Sequence, residues 1–141
     1  MLENSILAKM ERMLVENGIV TLDGDFVGKN MPAIDINDKD FWIMENTSGS
    51  QLKNWTNQRL RNRNLTVMYT LGVPIGSGTQ LIDEKTQQIC NLFKPNGENC
   101  NIQCEDCMAV IKEVDVREDY QNDTWYYRSI FLYINVSAYL S

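Results

Sequence analysis

The chain has 141 residues, which is one domain by size and enough to bury a core without help from a metal or disulfides. Hydrophobic residues make up 43% and charged residues 23%, so neither a disordered nor a membrane class fits. Nineteen acidic against thirteen basic residues give a net charge of −6, which argues against a non-specific nucleic-acid binder and suits a protein that stays near DNA without sticking to it.

The first eighteen residues carry Glu3, Lys9, Glu11, Arg12 and Glu16, too many charges for the apolar core of a signal peptide. The cytosol is then the expected compartment, with reduced thiols. Residues 2–17 read as an amphipathic helix. At 100° per residue, Leu2, Ile6, Leu7, Met10, Met13 and Leu14 share an arc of about 140°. Asn17-Gly18 supplies the left-handed conformation that ends such a helix.

A short strand is expected within 19–32 and another over 41–46, "FWIMEN". Between them lie Asp23-Gly-Asp25 and "DINDKD" (35–40), faintly like calcium loops. Lys39 occupies a ligand position there and no glycine follows, so solvated acidic turns are the better reading. Residues 52–74 form two strands or one long bent one. Leu65, Val67, Tyr69, Leu71 and Val73 alternate with Thr66, Met68, Thr70 and Gly72, the period-2 pattern of a half-buried strand. Arg59, Arg61 and Arg63 share one parity and project from one side: a solvated edge, or a docking patch for an acidic surface or a passing phosphate backbone.

The next segment is a turn and a helix. Ser77 with Gln80 three residues on fits a capping box, starting the helix near Gly78 or Thr79. Leu81, Ile82, Ile89, Leu92 and Phe93 line its apolar stripe. "GSGT" (76–79) lacks the Gly-Lys-[Ser/Thr] ending of a phosphate loop and reads as helix-start chemistry. After the cysteines, residues 108–119 form a strand, and 125–140 a long closing one. Tyr126, Ile130, Leu132, Ile134 and Val136 occupy one side of the closing strand; Trp125, Tyr127, Phe131 and Tyr133 occupy the other. A strand apolar on both sides is covered on both. The expected fold is α+β: a mainly antiparallel sheet of five or six strands with two or three helices on one face, spanning 1–141 as one domain. The second face is expected to meet another copy or another protein.

Catalytic chemistry has little to build on. No histidine is present, which removes the commonest general base and metal ligand. Cys100, Cys104 and Cys107, with Cys90 upstream, resemble the cluster motif of radical-SAM enzymes in spacing alone. An extended 100–104 segment separates Cys100 from Cys104 by about 13 Å and turns Cys107 to the opposite face, too spread for one zinc. Reduced structural cysteines, with no cofactor, are the expectation. A small metal-binding protein or enzyme built on the four is the rival.

Val73-Pro74-Ile75-Gly76-Ser77-Gly78, Leu92-Phe93 and Trp125-Tyr126, in this order, resemble the pattern of the lambda-type tail terminator proteins of long-tailed phages. That resemblance implies a structural virion protein at the tail–neck junction, assembled in the host cytoplasm. Such proteins form a hexameric ring that caps the tail tube, ends its polymerisation and docks the filled head. The implied partners are self, the major tail tube protein, a head-completion or connector protein and DNA passing through the lumen unbound, with no membrane. Another head–tail connector or minor tail protein is the nearest alternative. The candidate interface residues are Arg59, Arg61, Arg63, Trp125, Tyr127, Phe131 and Tyr133. The long acidic segment 22–40 and the cysteines depart from the family pattern.

Overall fold

The computed structural model describes residues 2–21, 25–27, 39–55, 60–104 and 107–139. Helix α1 spans Leu2–Glu16. Its end is set by Gly18 at φ +71°, where the Gly18 amide donates to the Val15 carbonyl and the Ile19 amide to that of Leu14. This pair of bonds satisfies carbonyls that the helix leaves orphaned, and it seats Ile19 beside Leu14 in the core.

Strands β1 (Phe26–Val27), β2 (Trp42–Trp55) and β3 (Leu60–Pro74) follow, then helix α2 (Gln80–Leu92). The chain closes with β4 (Asn101–Gln103), β5 (Cys107–Val116), β6 (Tyr120–Gln121) and β7 (Trp125–Tyr139). One sheet runs in the order β1-β2-β3-β7-β5-β4, with β6 paired to β7. The class is α+β, as expected. The sheet is mixed, because β1 runs parallel to β2 while every other pairing is antiparallel. Among the described residues the sheet has seven strands where five or six were expected; the additions are β4 and β6, of three and two residues, too short to show a clear alternation. The 52–74 segment is two strands, β2 reaching Trp55 and β3 starting at Leu60.

The capping box does not form. Thr79 stands at the N-cap with no side-chain cap, and the Ser77 hydroxyl instead donates to the Pro74 carbonyl at 2.7 Å. Gly76 and Gly78 both hold φ +85°. Each turns the chain in a way that an L side chain resists, so Ser77 closes the turn and the helix starts later, at Gln80.

Alternation sorts the sheet into two faces. Ile43 of β2, Leu65 through Val73 of β3, Ala109 and Ile111 of β5, and Ile130 through Val136 of β7 meet Ile6, Leu7, Met10 and Leu14 of α1 and Ile82, Ile89 and Leu92 of α2. Each of the Ile, Leu, Val and Met side chains contributes about 1.5–3 kcal/mol of transfer free energy. Tyr69 and Phe93 stack at 6.3 Å within this core. Burial, reinforced by Glu45 and Glu11, pushes the Tyr69 hydroxyl well above its usual range, so it stays neutral. Among the described residues no helix is long and apolar enough to cross a membrane.

Candidate interaction surface

The opposite face carries no helix among the described residues. Cross-strand pairing lays it out in rows. Trp42, Gly72 and Tyr127 form the first; Met44, Thr70 and Ser129 the second; Asn46, Met68, Phe131 and Asp115 the third; Ser48, Thr66, Tyr133 and Glu113 the fourth. Most apolar groups sit in the first three rows; in the fourth only the Tyr133 ring continues them, among hydroxyl and carboxylate groups.

Trp42 organises the aromatic end. It lies flat over Gly72, where an added Cβ would stand 2.2 Å from the indole ring. Trp125 and Tyr127 meet it edge-on, each with ring centroids 5.7 Å away. This geometry sets the positive ring edge against the negative ring face. The Trp42 indole N–H is buried without a hydrogen-bond partner, which costs about 1–3 kcal/mol and has to be outweighed by the ring's burial. Tyr120 of β6 stacks on Tyr127 at 4.9 Å. Asn122 fixes the corner: its carbonyl oxygen accepts from the Thr124 and Trp125 amides, and its amide donates to the Tyr127 hydroxyl at 2.6 Å. The result is a groove of about 540 Å³ floored by Trp42, Met44, Met68 and Thr70 and walled by Tyr120 and Tyr127.

The second aromatic pair is Phe131 and Tyr133, with centroids 6.4 Å apart. The Arg117 guanidinium sits 4.5 Å over the Phe131 ring, donates to the Tyr133 hydroxyl at 3.1 Å and pairs with Asp115 at 2.6 Å. The guanidinium and the Phe131 ring thus face one another at the margin of the apolar band.

Of the residues proposed from sequence, Tyr127, Phe131 and Tyr133 lie together on this open face, half-buried. Trp125 is only 6% exposed and packs edge-on against Trp42, so little of it is left for a contact. The arginines do not join them. Arg59 lies outside the described residues. Arg61 pairs with Trp55 and Ala138, and Arg63 with Gln51 and Val136, so β3 is an interior strand and the solvated-edge reading fails. Arg63 follows the alternation of Leu65 and Val67 and is half-buried on the helix-bearing face. Strand parity was readable in the sequence; the neighbours on both sides of β3 were not.

Sequence reasoning missed Trp42, Met44, Met68, Tyr120 and Arg117. The first three were within reach, since Trp42 and Met44 share a parity in "FWIMEN" and Met68 was already assigned to the face opposite the core. It also missed an ionic cluster on the helix-bearing face. There Arg128 grips Asp119 with two bonds of 2.7 Å and reaches Asp83 at 2.7 Å and Thr86 at 3.2 Å on α2. The Tyr126 hydroxyl donates a short bond to the same Asp119 carboxylate. Hydrogen bonding to Arg128 holds the Asp119 carboxyl below its usual range, against the opposing effect of partial burial.

The cysteines are arranged differently from the extended reading. β4 and β5 form a hairpin, and the Cys104 amide donates to the Cys107 carbonyl at 2.9 Å. The return of the chain puts Cys104 and Cys107 on the same side, both against the core, and not on opposite faces. Cys90 is half-buried on α2, and burial pushes its thiol up. Among the described residues no three Cys, Asp or Glu side chains converge as a metal site.

No protein-family model and no curated protein matches the chain. Its fold is similar to that of a solved structure with which it shares 14% identity at a TM-score of 0.67. The alignment covers 100% of this chain and 97% of the other.

Proposed function

We propose that the chain is a structural protein of the phage tail–neck junction. It assembles as an oligomeric ring, six copies in the family it resembles, that caps the tail tube and offers a docking surface to the head. The observation that carries this reading is the open sheet face. Half-buried aromatic and methionine side chains spread across β2, β3 and β7 there, with exposed Tyr120 of β6 beside them, and an apolar surface of this kind is characteristic of a protein–protein contact.

The motifs behind the resemblance have a clear structural role. Val73 pairs with Tyr126 and Pro74 with Trp125 across the β3–β7 ladder, and the Ile75 amide donates to the Thr124 carbonyl. Phe93 ends α2 in the core. These residues build the framework that presents the open face, so they support the functional reading through the fold. The net charge of −6 agrees with a lumen that repels DNA and lets it slide.

Native mass spectrometry of the purified chain, followed by electron microscopy with tail tubes, tests the proposal. Rings alone or on tube ends are expected. A chain that stays monomeric at high concentration and leaves tube ends bare would overturn it.

A further inference from the structure

The β4–β5 hairpin brings two thiols into register. Asn101 pairs with Val110, Ile102 with Ala109 and Gln103 with Met108, so the next pair along the ladder is Cys104 with Cys107. The Ile111 amide donates to the Cys100 carbonyl, and the Cys104 amide to that of Cys107. Hydrogen-bonded pairs therefore fall at 100–111 and 104–107. Directly opposite residues of that kind stand about 5.5 Å apart at Cα, inside the range that a disulfide spans. Both side chains lie on the core side, with Cys107 buried and Cys104 partly exposed. Cys100 shares the parity of Cys104 but lies four residues before it, ahead of β4 and opposite Ile111.

We propose that Cys104 and Cys107 are a reversible dithiol–disulfide pair that locks the edge hairpin when oxidised. Cys104 is the more accessible, so its thiolate attacks one sulfur of a low-molecular-weight disulfide such as oxidised glutathione. A mixed disulfide forms and one glutathione thiolate leaves. The Cys107 thiolate then attacks the Cys104 sulfur and expels the second glutathione. Both thiol protons pass to solvent or to the departing thiolates, and the two electrons end on glutathione.

Reversibility follows from geometry. Side chains opposite one another on a ladder keep their Cβ atoms about 4.5–5.5 Å apart, whereas a relaxed disulfide needs about 3.8 Å. Closing the bond draws the strands together and strains it, and strained disulfides are the readily reduced ones. Since β4 is the last strand of the sheet and Lys9 of α1 donates to its Gln103 carbonyl, the lock acts where the sheet edge meets α1.

The full-length chain, reduced and then equilibrated without oxygen in oxidised and reduced glutathione, provides the test. Remaining thiols are alkylated and the peptides mapped by mass spectrometry. One intramolecular bond between Cys104 and Cys107 is expected. It should reopen in excess reduced glutathione, persist in a Cys90→Ser, Cys100→Ser double variant and vanish in Cys104→Ser. Four alkylated thiols, glutathione adducts alone, a bond through Cys90 or Cys100, or a bond that excess reduced glutathione leaves intact would each overturn the proposal. The mapping on the unaltered chain decides it even where a variant does not fold.

Discussion

The two faces of the sheet are made by the same strands yet follow different rules. On the helix-bearing face, Ile130, Leu132, Ile134 and Val136 of β7 are at most 2% exposed and packed by two helices. One residue over, Phe131 and Tyr133 are half-buried on a face with no covering element among the described residues. Apolar side chains on both parities of one strand are costly to leave wet, so the contrast separates residues packed into the core from residues that the proposed assembly would cover. Substitutions at adjacent positions on β7 and its neighbours should therefore have unlike consequences.

The largest effect is expected from the covered face. Phe93→Ala removes a fully buried ring that stacks on Tyr69 and should cost about 3–5 kcal/mol; Ile130→Ala should cost about 2–5 kcal/mol. Urea titration followed by circular dichroism reads both. A loss under about 1 kcal/mol at either position would mean that the helices do not seal this face.

The open face should show one comparably rigid point. Gly72→Val would drive its side chain into the Trp42 ring, which Trp125 and Tyr127 hold from the sides. Overpacking of this kind costs about 1–3 kcal/mol, and the altered indole environment should shift the tryptophan fluorescence. Unchanged stability and emission would show that Trp42 can swing away, and the groove would then not be preformed.

A smaller effect, with a pH signature, is expected from the Arg128 cluster joining β7 to α2. Asp119 has its carboxyl lowered in the folded state relative to about 3.9 in an unfolded chain. Its contribution is therefore complete well above that value and is lost as pH falls through the folded-state pKa. Arg128→Met should cost about 1–2 kcal/mol at neutral pH, a modest figure because Asp83 and Asp119 are partly in solvent. Asp119→Asn should flatten the fall in stability below about pH 5. A slope unchanged in Asp119→Asn would assign the acid sensitivity to other carboxylates.

How much of this contrast the sequence carried depends on how far apart the interacting residues are. The alternation in 65–73 and 125–136 is local, and it correctly sorted core from open face along both strands. The helix stripes and the Gly18 stop were legible for the same reason, except that Leu81, placed in the α2 stripe, lies in the first turn of the helix and is exposed. What escaped is non-local. Arg128 meets Asp83 across 45 residues, and nothing in either segment announces it. The arginine parity was right, but its edge assignment needed the partners of β3. The cysteines were misplaced because an extended chain and a hairpin send Cys107 to opposite sides. The capping box failed because Gly76 and Gly78, both left-handed, flank Ser77 in a turn where the Ser77 hydroxyl donates to the Pro74 carbonyl.

The smallest effect on stability should accompany the largest effect on assembly. Phe131→Ser removes a half-exposed ring, so the folded monomer should lose only about 1 kcal/mol. Arg117 would lose the ring beneath its guanidinium but keep Asp115 and Tyr133, leaving the local charge arrangement intact. If the open face is buried between subunits, the same substitution places a hydroxyl in a desolvated contact where an aromatic anchor stood. Anchors of that kind carry about 2 kcal/mol or more of association energy each, and a ring repeats the loss at every subunit boundary. Native mass spectrometry should then show folded monomers where the unaltered chain forms rings. Tyr127→Ser should act in the same direction, moderated because the Asn122 amide would lose its phenol partner even in the monomer. Rings that persist in both variants would place the subunit contact elsewhere and leave the open face for the tube or the head.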